Sequence, residues 1–155
     1  MRPTADRVRE ALFAVLGDVS GAAVLDLFCG TGALAVEALS RGARRATLVD
    51  TRISLARRNV AALDLEGRCE LVRSEVPRYL RRARRRFDLI FCDPPYRLAD
   101  RLEGELDPLI GARLAKGGRL ITESAARRPL DLGLPLVFER RYGETMIRIH
   151  AGEDR

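Results

Sequence analysis

Two stretches of this chain carry residue types and spacings able to do chemistry. The first is Asp93-Pro94-Pro95-Tyr96, which closes the apolar run of residues 87–92. A residue before proline is pushed out of the helical region, so Asp93 is held extended. Each proline has a fixed φ and no N–H, which aims the Pro94 carbonyl with little freedom left. A carboxylate, a carbonyl and an aromatic ring thus leave a stiff backbone together. An exocyclic amine on a nucleobase is a poor nucleophile, because its lone pair is delocalised into the ring. A carboxylate and a carbonyl accepting its two hydrogens localise that pair, and an aromatic ring stacks on the extruded base. The competing reading is an ordinary strand-to-loop turn, where Asp and Pro are common.

The second stretch, Gly30-Thr31-Gly32-Ala33-Leu34-Ala35, fits G-x-G-x-x-A after an apolar run, and Asp50 ends the next such run twenty residues beyond Gly30. Glycines let backbone approach a ligand closely, and the later acid can accept ribose hydroxyls. Taken alone, the pattern fits NAD as well as S-adenosylmethionine. Asp26, four residues before Gly30, tilts the balance. It repels a pyrophosphate and welcomes an ammonium or sulfonium. Its alternative role is a buried aspartate bonded to backbone amides.

The elements that must position these stretches follow from periodicity. Residues 1–7 read as a helix start with Thr4 as its cap; Val8, Leu12, Val15 and Leu16 share a helical face, and Gly17 stops it. Strands are expected at 24–28, 46–49, 69–72, 87–92 and 119–122, with crossover helices between them, the last over 98–114. Residues 136–141 and 145–150 read as a hairpin. Alternating strands and helices imply an α/β fold: a mostly parallel sheet with helices on both faces and a C-terminal antiparallel hairpin. Ligands in such folds sit beyond the carboxyl ends of the strands, the end at which both stretches fall.

At 155 residues and 46% apolar content the chain reads as one globular domain, 1–155. No run approaches the roughly 20 apolar residues of a membrane helix, and the N-terminus lacks a signal peptide's apolar core, so a cytoplasmic protein is expected. Cys29, Cys69 and Cys92 have no metal or disulfide spacing, and no metal is expected. The net charge of +6 favours a polyanionic partner such as nucleic acid. Only Lys116 among the 28 basic residues is a lysine, a bias that coding composition also produces. Arg78, Arg81, Arg82, Arg84, Arg85 and Arg86 read equally well as a phosphate stripe or a solvated face. His150 is expected to be structural or solvent-facing, and a monomer is the default.

The stretch 24–32 with Asp93-Pro94-Pro95-Tyr96 resembles the class I S-adenosylmethionine-dependent amino-methyltransferases. Arg2-Pro3-Thr4-Ala5-Asp6-Arg7, residues 32–43 and Arg141-Tyr142-Gly143-Glu144-Thr145 are similar to the bacterial family that methylates guanine N2 in small-subunit (16S) ribosomal RNA. The resemblance covers nearly the whole chain. It implies a seven-stranded Rossmann-like sheet and S-adenosylmethionine as cofactor, leaving S-adenosylhomocysteine. Asp26, Phe28, Cys29, Gly30, Thr31 and Gly32 would line the methionine part, with Asp50 and Thr51 at the ribose and Glu75 and Val76 beside the adenine. Glu75 stands where the family usually has an aspartate. Asp93, Pro94, Pro95 and Tyr96 would form the catalytic motif, and Arg2, Thr4, Arg7 and Arg97 would face the substrate, ribosomal RNA or the small ribosomal subunit. The family's short basic segment, thought to help grip RNA, is expected before Arg-Pro-Thr, where Met1 directly precedes Arg2; either the start codon is assigned late or RNA is bound by the body of the protein alone.

The rivals are an adenine-N6 methyltransferase on DNA or RNA, a glutamine methyltransferase (whose relatives carry Asn at the position of Asp93), an NAD-dependent oxidoreductase, and an RNA-binding module without cofactor. The chain is too short for a separate target-recognition domain, which counts against a sequence-specific DNA enzyme.

Overall fold

The computed structural model describes residues 3–95 and 97–152, with side chains described from Ala5 onward. The elements run α1 (Pro3–Leu16), β1 (Ala23–Leu27), α2 (Ala33–Ser40), β2 (Arg45–Asp50), α3 (Ser54–Ala62), β3 (Cys69–Arg73), α4 (Val76–Arg82), β4 (Phe87–Cys92), α5 (Ala99–Gly111), β5 (Leu114–Ala125), β6 (Leu136–Tyr142) and β7 (Thr145–Ala151). One seven-stranded sheet has the order β3-β2-β1-β4-β5-β7-β6. Pairings from β3 to β5 are parallel, whereas β7 runs antiparallel to both neighbours. This is the expected α/β architecture.

Side chains of a strand alternate between faces, and the two faces gather two cores. Val24, Phe91, Ile121, Ile147 and Ile149 pack with Leu12, Phe13 and Leu16 of α1, Ala35, Ala38 and Leu39 of α2, and Ala56 and Val60 of α3. Leu25, Leu27, Ile90 and Leu120 pack with Val76, Tyr79 and Leu80 of α4 and Leu106 and Ile110 of α5. The central strands β1 and β4 are apolar on both faces apart from Asp26 in β1 and Asp88 in β4, as buried parallel strands must be.

Several local expectations shift. α1 already includes Pro3, so Thr4 lies in its first turn and is not its cap; proline suits a first helical position, where its missing N–H costs nothing. Val15 is left 42% exposed while Phe13 is buried, because Phe13 finds the Phe91 ring at 5.9 Å beneath the helix. β5 spans twelve residues and not just 119–122. Leu114 pairs with Phe87 before a register shift, and Arg119 resumes the ladder opposite Leu89, with Gly117 at φ 73° between them. His150 is buried, with Nδ1 3.0 Å from the Leu134 carbonyl, so the solvent-facing option falls away.

Candidate active site

Chain order reverses between β1 and β4: from β1 the sheet grows one way through β2 and β3, and from β4 the other way through β5. Such a switch point leaves a crevice at the carboxyl ends of the two strands. Leu27 is paired with Cys92, so the glycine loop and the Asp-Pro-Pro turn leave adjacent strands at the same level.

The glycine loop is tightly pinned. Phe28, although not glycine, adopts φ 58°, and Gly30 and Gly32 take φ 55° and 81°. A left-handed, non-glycine residue marks a backbone that its surroundings over-determine. The Cys29 N–H donates to the Val49 carbonyl at 3.1 Å and the Gly32 N–H to the Cys29 carbonyl at 2.8 Å. Asp50 holds the loop from β2: Oδ2 accepts the Gly30 N–H at 2.9 Å and Oδ1 the Arg52 N–H at 3.1 Å. Asn59 of α3 donates to the Thr31 carbonyl at 2.9 Å, a clamp that sequence reasoning missed because an amide in mid-helix carries no signal. Thr51 is exposed next to Asp50.

A side chain at Gly32 would strike Leu48, so this glycine is needed for packing, whereas a Cβ at Gly30 would meet nothing within 4 Å. The rim is therefore open above Gly30. Asp26 is buried and its Oδ2 accepts the Ala35 N–H at 3.2 Å, as its alternative reading has it. Burial, with Asp93 and Asp50 nearby, pushes its carboxyl well above the usual range, against the bond from Ala35. An acidic, open cradle suits a cationic amino acid and ribose hydroxyls and opposes a pyrophosphate. Burial drives the Cys29 and Cys92 thiols upward as well, so neither is a reactive thiolate.

Beyond Cys92, Pro94 is buried and its carbonyl accepts no hydrogen bond among the described residues. The Pro95 carbonyl instead accepts from Leu98 at 2.9 Å and Ala99 at 3.2 Å, starting α5. Asp93 as a residue is open to solvent, yet its carboxyl end is crowded against Glu123 of β5. Burial of that end first, and the Glu123 carboxyl second, push it up to about 7. Burial also raises Glu123, and its bond with Asp93 opposes the rise. Near neutrality the pair holds a proton between its members.

Glu75 is exposed at the entry to α4 and Val76 is buried as its first residue, just beyond β3 and two strands from β1 on the same rim. Arg97 is exposed just past the motif and Arg7 is exposed on α1. Tyr96, Arg2 and the Thr4 side chain lie outside the described residues. The α4 arginines lead away from this rim, since α4 returns the chain to the start of β4. Arg81 is paired with Glu105 of α5, and Arg86 donates to the Leu114 carbonyl at 3.1 Å. A cavity of about 350 Å³ at the opposite rim is lined by Asp18, Ser20, Asp88 and Arg119. Its polar groups are spent on backbone: Asp88 accepts the Ala23 N–H at 2.8 Å and Arg119 donates to the Leu16 carbonyl at 2.9 Å.

Comparison with known proteins agrees with this geometry. The family model described as conserved hypothetical protein 95 matches residues 1–151. The chain belongs to that family. It is 39% identical over 103 residues to the "Putative rRNA methyltransferase YlbH" of Bacillus subtilis, covering 62% of this chain and 56% of that protein. It is 41% identical over 101 residues to the "Ribosomal RNA small subunit methyltransferase D" of Escherichia coli, covering 63% of this chain and 50% of that protein. The matches thus span about half the length of these curated relatives. Among solved structures, the "Putative methyltransferase yhhF from Escherichia coli" superposes with a TM-score of 0.86 at 32% identity, over 100% of this chain and 89% of that one.

Proposed function

We propose that this chain transfers a methyl group from S-adenosylmethionine to the exocyclic N2 amine of a guanine in small-subunit ribosomal RNA. The observation that carries the reading is the pairing of Leu27 with Cys92, which sets the acidic glycine loop beside the Asp-Pro-Pro turn at the switch point. That the two relatives above are named as ribosomal RNA methyltransferases supports RNA over DNA as the acceptor.

The open cradle above Gly30 and the acidic set around it fit S-adenosylmethionine. Asp26 and the 28–32 loop hold its methionine part, Asp50 and Thr51 its ribose, and Glu75 and Val76 border its adenine. When bound, it supplies an electrophilic methyl on a positively charged sulfur. The chain's own residues prepare the nucleophile. The Pro94 carbonyl and the Asp93 carboxylate accept the two amine hydrogens, which concentrates the lone pair on N2 and aims it across the crevice. Asp93 then takes up the proton that the methylated amine sheds. Tyr96 stacks on the base, and Arg2, Thr4, Arg7 and Arg97 meet the RNA backbone. Pro95 contributes by fixing the turn. The protein acts as a cytoplasmic monomer.

The test is transfer of labelled methyl to unmodified small ribosomal subunits, naked ribosomal RNA and DNA in parallel, with the product nucleoside identified by mass spectrometry. N2-methylguanosine from RNA, absent with Asp93→Ala, is the expected result. Methyladenosine, or label on DNA alone, overturns the guanine assignment.

A further inference from the structure

The register of β4 and β5 places a second acid beside the motif. Cys92 is paired with Thr122, so Asp93 and Glu123 follow side by side. Phe91 and Ile121, two residues earlier, point into the core beneath α1, α2 and α3; by strand alternation Asp93 and Glu123 emerge on that same face. Glu123 is backed by Ile121 on its own strand and by Ile147, its partner on β7. Its carboxyl reaches Asp93 by a side-chain hydrogen bond.

Two carboxyls forced together are costly. The chain has 28 basic residues, yet among the described residues neither acid forms an ion pair. A pair serving only the fold would be expected to have acquired an arginine. Apart from the proton the two acids share, their carboxyl oxygens have no donor among the described residues and await donors from a ligand. Guanine presents such donors along one edge, the two N2 hydrogens and the neighbouring N1–H.

Resting on the guanine-N2 reading above, we propose that Glu123 reads the acceptor base, its carboxylate taking the N1–H while Asp93 and the Pro94 carbonyl take the N2 hydrogens. Selectivity follows from repulsion as much as attraction. Adenine also offers two amine hydrogens, but its N1 is a lone pair that would face the Glu123 carboxylate. The proton shared by the free pair is released to solvent on binding, and guanine's own hydrogens take its place between the two carboxylates and the base.

The probe is 2-aminopurine, which keeps the N2 amine and replaces N1–H by a lone pair. It is placed by synthesis in an RNA fragment at the position where N2-methylguanosine is mapped. Wild type should prefer guanine over 2-aminopurine by at least about tenfold in kcat/KM, since sites built to bond a donor reject analogues lacking it. In Glu123→Gln the amide can donate to the N1 lone pair, so activity on guanine falls, activity on 2-aminopurine rises, and the preference narrows by about tenfold or more. Glu123→Ala loses guanine activity without that gain. Binding of S-adenosylhomocysteine should be unchanged in both variants, since Glu123 lies outside the glycine loop. Equal use of both bases by wild type overturns the proposal whatever the variants do, and so does an unchanged preference in Glu123→Gln. Absence of N2-methylguanosine from wild type is a different failure: the functional reading falls first and takes this one with it.

Discussion

Replacing Gly32 by alanine places a methyl carbon 2.9 Å from Leu48 Cδ2 and 3.5 Å from Ala56 Cβ, on a backbone held at φ 81°. The left-handed conformation costs a side chain about 1–2 kcal/mol. Crowding a packed core adds about 1–3 kcal/mol, less where the tip of Leu48 can turn aside. The sum, about 2–5 kcal/mol, corresponds to a fall in Tm of roughly 6–15 °C for a chain of this size. Gly30→Ala is the internal control. Its φ of 55° carries the same backbone penalty, about 1–2 kcal/mol, but its new methyl meets nothing within 4 Å. That methyl instead enters the space assigned to the cofactor. Gly30→Ala should therefore melt within a few degrees of wild type yet bind S-adenosylhomocysteine at least about tenfold more weakly, or about 1.4 kcal/mol. Thermal melts by circular dichroism and titration calorimetry on both variants decide the matter. A Gly30→Ala protein that melts below Gly32→Ala, or that binds S-adenosylhomocysteine as tightly as wild type, refutes the reasoning.

Asp93 faces Glu123 from β5 and Asp26 from β1, and its carboxyl is pushed up to about 7; kcat/KM for methyl transfer should therefore rise with pH through the neutral range, and Glu123→Gln, by removing the neighbouring charge, should move that rise to lower pH. A raised acid binds its proton more tightly when folded, so its stabilising share is full below about pH 4 and is lost as pH climbs toward 7; Asp93→Asn should consequently melt higher than wild type at pH 8 and show little difference at pH 4. Asp26→Asn keeps an oxygen for the Ala35 N–H and removes a charge that burial opposes; Tm at pH 8 should hold or rise while S-adenosylhomocysteine binding weakens, as calorimetry would show. Phe13→Ala vacates a fully buried ring against Phe91 and should cost about 3–5 kcal/mol by urea denaturation.

The two loops of the site were legible in the sequence because glycine and proline are needed there for backbone reasons that no other residue meets. Their placement on one rim followed from the strand–helix alternation, whereas their meeting on adjacent strands is given by the sheet order and the Leu27–Cys92 register. Glu123 was not legible, because an acid near a strand end is ordinary and the polar residues Glu123 and Ser124 made the strand look finished at Thr122. Only the register against Cys92 brings it beside Asp93. Asn59 stayed hidden because its partner is a backbone carbonyl 28 residues earlier. On α1, helical spacing admits either Val15 or Phe13 to the inner face, and the Phe91 ring on a strand far along the chain decides between them.

The position of β7 in the sheet bears on how the protein is made. β5 has β4 on one side, but its other edge stays bare until residues 145–151 are synthesised and slot between it and β6. During synthesis the nascent chain thus exposes the N–H and C=O groups of β5, a template for wrong pairing. Ile147 and Ile149, which complete the core beneath α1, arrive in the same step. A chain interrupted between Ala125 and Thr145 would contain every residue assigned to the glycine loop and to the Asp-Pro-Pro turn, and would still lack the strand that seals the wall behind Glu123. Loss of activity on trimming the C-terminal strands would then report incomplete assembly, far in sequence from any group that touches a substrate.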